Sequence, residues 1–159
     1  RDDTTVAQSI KTSNNGIELT DAQGRGLLVS GGNLYVSNDD YANKEIVDFV
    51  YEKGASGAWK YEKWASGKVE AWGTILFSTL TFSAGGALYK SVSNAFSIPS
   101  GIFGDTPTHG DAFIMGASMD YIGATVGGLS ATGGNCEVWK AVSGNGTNVY
   151  VHIHLVYVP

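Results

Sequence analysis

The amino-acid sequence predicts an all-β protein: a β-sandwich head of the jelly-roll type, preceded by a short β-stranded stalk. Short runs of apolar and β-branched residues recur along the chain, 22 of its 159 residues are glycines that separate these runs, and no segment shows the apolar period of a helix. Evenly spaced short strands without helices are typical of sandwiches and jelly rolls. We expect a stalk over residues 1–45 and a head over residues 46–159.

The expected stalk carries three short apolar runs at nearly even spacing, over residues 16–19, 26–29 and 33–36. A meander of strands this short is marginal on its own, so it needs a partner surface. Two further copies of the chain around a common axis would provide that surface. A flexible linker is the alternative, and the regular apolar spacing argues against it.

In the head, the same pattern predicts about eight strands separated by glycine-rich breaks. The longest polar connection between them covers residues 100–111. The predicted strands are 46–52, 58–64, 69–77, 78–83, 87–96, 112–120, 135–142 and 148–158.

Residues 59–73 contain three of the four tryptophans and predict an aromatic hairpin. Ser66-Gly67 suits a two-residue turn, which places Tyr61 directly opposite Trp72 and puts Trp59 on the same face. Large aromatic side chains at strand spacing bury well, so we expect these three in the core or at a subunit interface. A stacking platform for a sugar is the alternative.

Asn145-Gly146 is the strongest two-residue turn signal and predicts a final hairpin. Alternation gives this hairpin one apolar face, on which Lys140 is an exception. Asn145-Gly146-Thr147 also matches a glycosylation acceptor, but a turn explains the motif without a modification. The predicted neighbours are Cys136 with Leu155 and Val138 with Ile153 on the apolar face, and Trp139 with His152 and Glu137 with His154 on the other.

The stretch 48–73, DFVYEKGASGAWKYEKWASGKVEAWG, resembles a module at the C-termini of tail proteins in phages and prophages of Gram-positive bacteria, whose pattern reads like EqGtsGiWtYrkW-sG-aE-wG. The closing segment 149–154 resembles the module's terminal strand, which often ends in His-x-His. The resemblance covers roughly residues 46–159 and is weak between 80 and 135. It implies a tail-fibre or receptor-binding head: a β-sandwich, usually a homotrimer, that the extracellular virion displays to the host surface.

That resemblance also implies partners, namely other tail proteins on the N-terminal side and a host cell-wall or surface saccharide. Loops on a rigid sandwich are where ligands normally meet a protein, and saccharides need planar rings with convergent polar atoms. A polar loop that is merely solvated is the alternative. The candidate ligand-binding residues are Phe103, Asp105, Thr108, His109, Asp111 and Tyr121.

His152 and His154 share one face of the last predicted strand. Three chains around an axis would bring six imidazoles together, enough for an octahedral metal ion, and trimeric phage fibres of other families use His-x-His in this way. Two structural histidines with ordinary sheet partners are the alternative. We expect no other metal and no cofactor.

Composition argues against several partners. A net charge of −5 does not suit the backbone phosphates of nucleic acid or an anionic membrane surface. Cys136 is the single cysteine, so no intrachain disulfide and no cysteine-based metal site is expected. No apolar run approaches the ~18 residues that span a bilayer. The chain begins at Arg1 rather than Met, which suggests a piece of a longer protein.

Catalysis is not expected, because the sequence lacks a Gly-x-Ser-x-Gly elbow, a HExxH motif and any Cys/His pairing. Glu62 and Glu70 could be a glycosidase pair, but the predicted hairpin register puts them on opposite faces. We therefore expect a non-enzymatic adhesion module, with any hydrolase in an upstream part of the parent protein. The alternatives are a trimerisation cap that binds nothing and a monomeric carbohydrate-binding module of a secreted enzyme.

Overall fold

The computed structural model describes residues 9–13, 16–20, 26–30, 33–37, 44–46, 48–115 and 120–159. Every regular element in these ranges is a β-strand, which confirms the all-β prediction. Within them, no helix is long and apolar enough to cross a membrane. The chain divides into two compact units, one of residues 1–51 with 64–66 and one of residues 52–63 with 67–159.

The first unit holds a five-stranded antiparallel meander in which each strand pairs with the next. Leu27 lies in the middle strand of three, opposite Leu19 on one side and Val36 on the other. The short strands predicted over 16–19, 26–29 and 33–36 are therefore confirmed. The strands are β1 (Ser9–Ser13), β2 (Gly16–Thr20), β3 (Gly26–Ser30), β4 (Asn33–Ser37) and β5 (Lys44–Ile46).

The remaining strands form two five-stranded antiparallel sheets. They are β6 (Val50–Ser56), β7 (Trp59–Trp64), β8 (Val69–Leu80), β9 (Phe82–Gly85), β10 (Leu88–Ser91), β11 (Asn94–Ser97), β12 (His109–Met115), β13 (Tyr121–Ser130), β14 (Gly133–Lys140) and β15 (Gly146–Tyr157). The front sheet has the order β12-β15-β8-β7-β6. In the back sheet, β14 pairs with β13 on one edge and with β10 and β11 on the other, and β9 pairs with β10.

The hydrophobic core lies between the front and back sheets, because alternate side chains of each strand point inward. Val138 of the back sheet and Ile153 of the front sheet are both completely buried there. Lys140 also points inward and is buried, as the alternation predicts.

The predicted hairpin at Asn145-Gly146 is wrong, because β14 and β15 belong to different sheets. β15 instead pairs with β8 along its whole length, from Gly146 opposite Leu80 to Tyr157 opposite Val69. The connection from β14 crosses between the sheets and includes Gly144 with a φ of 98°, while Asn148, near the start of β15, has a φ of 53°. A long ladder with β8 outweighs the local preference of the Asn-Gly turn.

The aromatic hairpin forms from β7 and β8, but its register differs by one residue from the prediction. Tyr61 lies opposite Ala71, and Lys60 lies opposite Trp72. Gly67 has a φ of 87°, which is the left-handed position that closes a three-residue loop. Because a one-residue shift exchanges the faces of a strand, Trp59 is buried at 2% exposure while Trp72 lies on the outer face. The prediction that these two share a face is wrong.

Two further elements differ from the sequence prediction. The predicted strand 87–96 is interrupted, since β10 ends at Ser91 and β11 begins at Asn94. The glycine-rich strand β13 was not predicted at all. Residues 116–119 of the predicted strand 112–120 lie outside the described residues.

Candidate functional site

The structure does not gather the six predicted ligand-binding residues into one site. Phe103 is buried in the core, so its ring does not face outward from the loop. Asp105 is exposed and its Oδ1 accepts a hydrogen bond from the backbone N–H of Thr106 at 2.7 Å. Thr108 is tied to β15, since its Oγ1 donates to the carbonyl of Val156 and accepts from the N–H of Val158, both at 3.2 Å.

His109 and Asp111 form an exposed pair at the start of β12, with Nε2 and Oδ2 2.9 Å apart. Tyr121 lies elsewhere, at the start of β13, where its ring centroid is 6.2 Å from that of Phe82. Burial raises the pKa of the Tyr121 hydroxyl. Tyr121 therefore packs in the back sheet and does not complete the loop site.

His152 and His154 point to the outer face of the front sheet, with neighbours other than those predicted. His152 lies between Thr74 and Phe113: its Nδ1 is 3.2 Å from Thr74 Oγ1, and its ring centroid is 4.7 Å from that of Phe113. His154 is paired with Trp72 on β8 and with Asp111 on β12. The neighbours Trp139 and Glu137 were wrong because the last hairpin does not form. No group of three or more potential metal ligands occurs among the residues the structure describes.

The same outer face carries a patch that we call the apolar face. Its four large apolar side chains are each between 45% and 52% exposed in the single chain. Contiguous exposed patches of this kind mark interaction surfaces. The patch consists of two neighbouring cross-strand rows, Leu76 with Tyr150 and Met115, and Thr74 with His152 and Phe113.

The outer side of the back sheet is different and contains a cleft of about 240 Å³ between β13 and β14, which we call the β13–β14 cleft. Thr125 pairs with Glu137 and Gly127 pairs with Asn135, so the two strands contribute facing pairs. Ser93 completes the lining from the segment between β10 and β11. The cleft therefore presents hydroxyl, amide and carboxylate groups on a rigid sheet.

An ion pair fixes the carboxylate of the cleft. Glu137 Oε2 lies 2.6 Å from Lys90 Nζ, and the same ammonium group lies 5.4 Å from the ring centroid of Trp139. Trp139 occupies the next row of the sheet, opposite Gly123. The Glu137 carboxylate is thus a hydrogen-bond acceptor beside a donor, the Lys90 ammonium group, which also lies near the Trp139 ring. The ion pair carries no net charge.

Glycines shape one end of the cleft. Gly128 has a φ of 55°, and a Cβ added there would lie 2.9 Å from Asn135 Nδ2, so the backbone passes directly beside that amide. The ladder between β13 and β14 is irregular between Gly127 and Ser130. Sequence reasoning missed this site because a run so rich in glycine looks like a break. The available signal was glycine inside a strand pattern, which often marks a bulge or a close backbone approach.

The prediction that Glu62 and Glu70 lie on opposite faces of the hairpin is also wrong. In the observed register Glu62 lies directly opposite Glu70, on the same face. Glu62 Oε1 is 2.8 Å from Lys53 Nζ, and Glu70 Oε1 is 2.5 Å from Lys68 Nζ. Each carboxylate is thus held by a lysine of its own, which gives both a structural role in the front sheet.

Comparison with protein-family models, with curated proteins and with solved structures finds no match to this chain. Function is therefore inferred from the chemistry of the two outer faces together with the sequence resemblance.

Proposed function

We propose that the chain is the head of a phage or prophage tail protein, a non-enzymatic receptor-binding module that attaches the virion to a saccharide of the host surface. The observation that carries the proposal is the contrast between the two outer faces of the head. The apolar face suits burial against another protein surface, whereas the polar β13–β14 cleft suits a ligand rich in hydroxyl groups. A jelly-roll sandwich with one covered and one open face fits this use.

Self-association into a homotrimer is part of the proposal. Phe113 and Tyr150 of the apolar face would lose their contact with water in such an assembly. In the meander, the paired residues Leu19 and Leu27 are also more than two-fifths exposed in the single chain. A short-stranded meander of this kind is stabilised when further copies cover its apolar side chains, which supports the role of residues 1–45 as a stalk that leads to other tail proteins.

Adhesion also fits the modest size of the cleft. A shallow polar site binds a single saccharide weakly, because it must replace hydrogen bonds that water already makes. Three heads on one fibre raise the effective concentration for each further binding event by a large factor. Weak sites are therefore sufficient for attachment of an extracellular virion.

The second candidate is a trimerisation cap that binds nothing, and the apolar face alone favours it. Light scattering at micromolar concentration tests the assembly: three chains of 16.7 kDa give about 50 kDa. A mass of one chain would contradict the trimer and favour a monomeric carbohydrate-binding module.

Binding of the labelled trimer to Gram-positive cells and to a glycan array then separates adhesion from the cap. Selective binding that a soluble saccharide competes away is the expected result. A trimer that binds none of these targets would leave the cap as the better account.

A further inference from the structure

We infer that the β13–β14 cleft is the saccharide subsite of the head, and that it takes an uncharged oligosaccharide lying along β13. This inference rests on the proposed function and deepens it, since it names the ligand class and the side chains that hold the ligand.

The cleft has the form of a step along one edge of the back sheet. Among the described strands β13 pairs only with β14, so it is an edge strand of the back sheet. Along the outer face β13 presents small residues, and β14 presents larger ones opposite them. At ~3.4 Å per residue the three rows span about 14 Å, the length of a short oligosaccharide. The rows pair Gly123 with Trp139, Thr125 with Glu137 and Gly127 with Asn135.

The outer surface of β13 has free space above two of its glycines. A Cβ added at Gly123 or at Gly127 would meet no atom within 4 Å. Neither glycine has a positive φ, so the backbone conformation does not require glycine at either position. Because these positions have no side chain, there is room over the sheet next to the amide of Asn135.

The charges of the cleft favour an uncharged ligand. Glu137 and Lys90 neutralise each other at 2.6 Å, so the pair offers a fixed acceptor beside a fixed donor without attracting either sign of ion. Neighbouring hydroxyl groups of a saccharide can donate to the carboxylate and accept from the ammonium, and hydrogen bonds to charged groups are the stronger ones. A net charge of −5 on the chain further disfavours an anionic glycan.

The remaining polar groups of the cleft suit the hydroxyl groups of a sugar. Asn135, Thr125 and Ser93 each supply both donor and acceptor capacity. The indole of Trp139 lies outside the cleft, since its Cζ3 would be 3.6 Å from a Cβ added at Gly85 of β9. The cleft thus presents convergent polar atoms on a sheet, as the polar parts of small-molecule sites do.

Amide NMR of the full, isotope-labelled chain tests the inference with named probes: lactose, maltotriose and N,N′-diacetylchitobiose as uncharged ligands, and sialyllactose as an anionic comparison. At millimolar concentrations we expect at least one uncharged probe to shift the amide signals of Gly123, Thr125 and Gly127, with smaller shifts for sialyllactose. Shifts confined to residues 104–111 or to the apolar face would overturn it, as would no shift with any uncharged probe.

Two variants assign the binding to the cleft. Glu137→Gln should weaken the binding probe about tenfold, because a neutral amide replaces the charged acceptor. Gly127→Leu should abolish binding by filling the space above β13. The matched control is Glu62→Gln, since Glu62 is similarly exposed (21% against 31% for Glu137) and also pairs with a lysine. The control should bind as wild type, and the spectra themselves report whether each variant is folded.

The failure of this inference differs from the failure of the proposed function. If labelled trimer binds host cells while Glu137→Gln and Gly127→Leu bind them equally well, the adhesion function stands and the cleft is not its site. If the trimer binds neither cells nor glycans, the adhesion function itself is overturned.

Discussion

The indole Nε1 of Trp59 donates a hydrogen bond to the backbone carbonyl of Ser97 at 2.9 Å, and this bond joins the front sheet to the back sheet. The Trp59 ring is almost completely buried, and its centroid lies 6.0 Å from that of Phe96 at the end of β11. One side chain therefore contributes both core packing and a polar link between the two layers.

Replacing Trp59 with phenylalanine should lower the free energy of unfolding by about 1 to 3 kcal/mol, because the Ser97 carbonyl loses its donor and a smaller ring leaves space. Urea unfolding followed by circular dichroism measures this. Trp139→Phe on the outer face is the matched control and should cost less than about 1 kcal/mol. Equal losses in the two variants would contradict the role of the Trp59 bond.

Gly110 of β12 faces the core at a place where no side chain fits. An added Cβ would lie 2.8 Å from Val126 Cγ2 and 2.9 Å from Leu155 Cδ2. Gly110→Ala should therefore destabilise the fold by about 1 to 3 kcal/mol through overpacking. Gly123→Ala, whose Cβ would meet nothing within 4 Å, should leave the melting temperature unchanged or slightly raised. An unchanged melting temperature for Gly110→Ala would contradict the packing.

Alternation of apolar residues predicted which side chains are buried, but it did not predict which strand each strand pairs with. Val138 and Ile153 are both buried as predicted, yet they belong to two different sheets instead of lying side by side in one. Burial depends on the local pattern of a strand, whereas pairing depends on distant partners of matching length. The twelve residues of β8 provide such a partner for β15.

The surroundings of Lys140 also could not be predicted from the local sequence. The sequence marks it as an exception on an apolar face, and the structure explains the exception through rings that come from other strands. Lys140 Nζ lies 4.8 Å from the ring centroid of Phe82 and 5.8 Å from that of Tyr121. A buried ammonium group is stabilised by such ring faces. No local pattern indicates that these rings converge on Lys140.

The candidate cleft was missed for the same reason, because its strands are brought together by pairing over a distance. The sequence predicts Glu137 beside His154 in a hairpin that does not form, and it predicts a break at Gly127. Only the pairing of β13 with β14 brings Thr125 and Asn135 to one surface. The sequence did identify the outward direction of His152, because alternation within a single strand is enough for that.

Cys136 should be unreactive in the folded protein. Burial raises the pKa of its thiol to about 11, and the thiolate is the reactive form. A thiol-specific chromogenic reagent at pH 8 should label it slowly in buffer and rapidly in urea. Between pH 9 and 11 the unfolded thiol ionises while the folded one stays protonated, so stability falls as pH rises through this window, and Cys136→Ala should lack this component. Rapid labelling in buffer would contradict the burial.

Glu52 should titrate below its ordinary range. Its carboxylate lies 3.1 Å from Lys63 Nζ and accepts a hydrogen bond from the Tyr61 hydroxyl at 3.0 Å, and these contacts lower the pKa of Glu52, with Lys63 the larger cause. The contribution of Glu52 to stability is present above pH 4.5 and is lost as pH falls through the lowered folded value.

Carbon-detected NMR titration measures the pKa of Glu52 directly. Lys63→Met should move its pKa upward towards 4.5. Lys53→Met is the control, because Lys53 pairs with Glu62 and not with Glu52, and should leave the titration of Glu52 nearly unchanged. Equal effects of the two lysine variants would show that general charge, and not the Lys63 contact, sets the value.

The apolar face should determine the assembly state. Phe113→Glu places a charge in the centre of the surface proposed to be covered in the trimer, where burial of an unpaired carboxylate costs several kcal/mol. Because Phe113 is exposed in the single chain, the variant should still fold, and light scattering should show its mass falling from about 50 kDa towards 16.7 kDa. Ile122→Glu is the matched control, since Ile122 is similarly exposed (56% against 52% for Phe113) but lies on β13 of the back sheet. A trimer that persists in Phe113→Glu but dissociates in Ile122→Glu would place the subunit interface on the back sheet, and the cleft could not then remain open to a host saccharide.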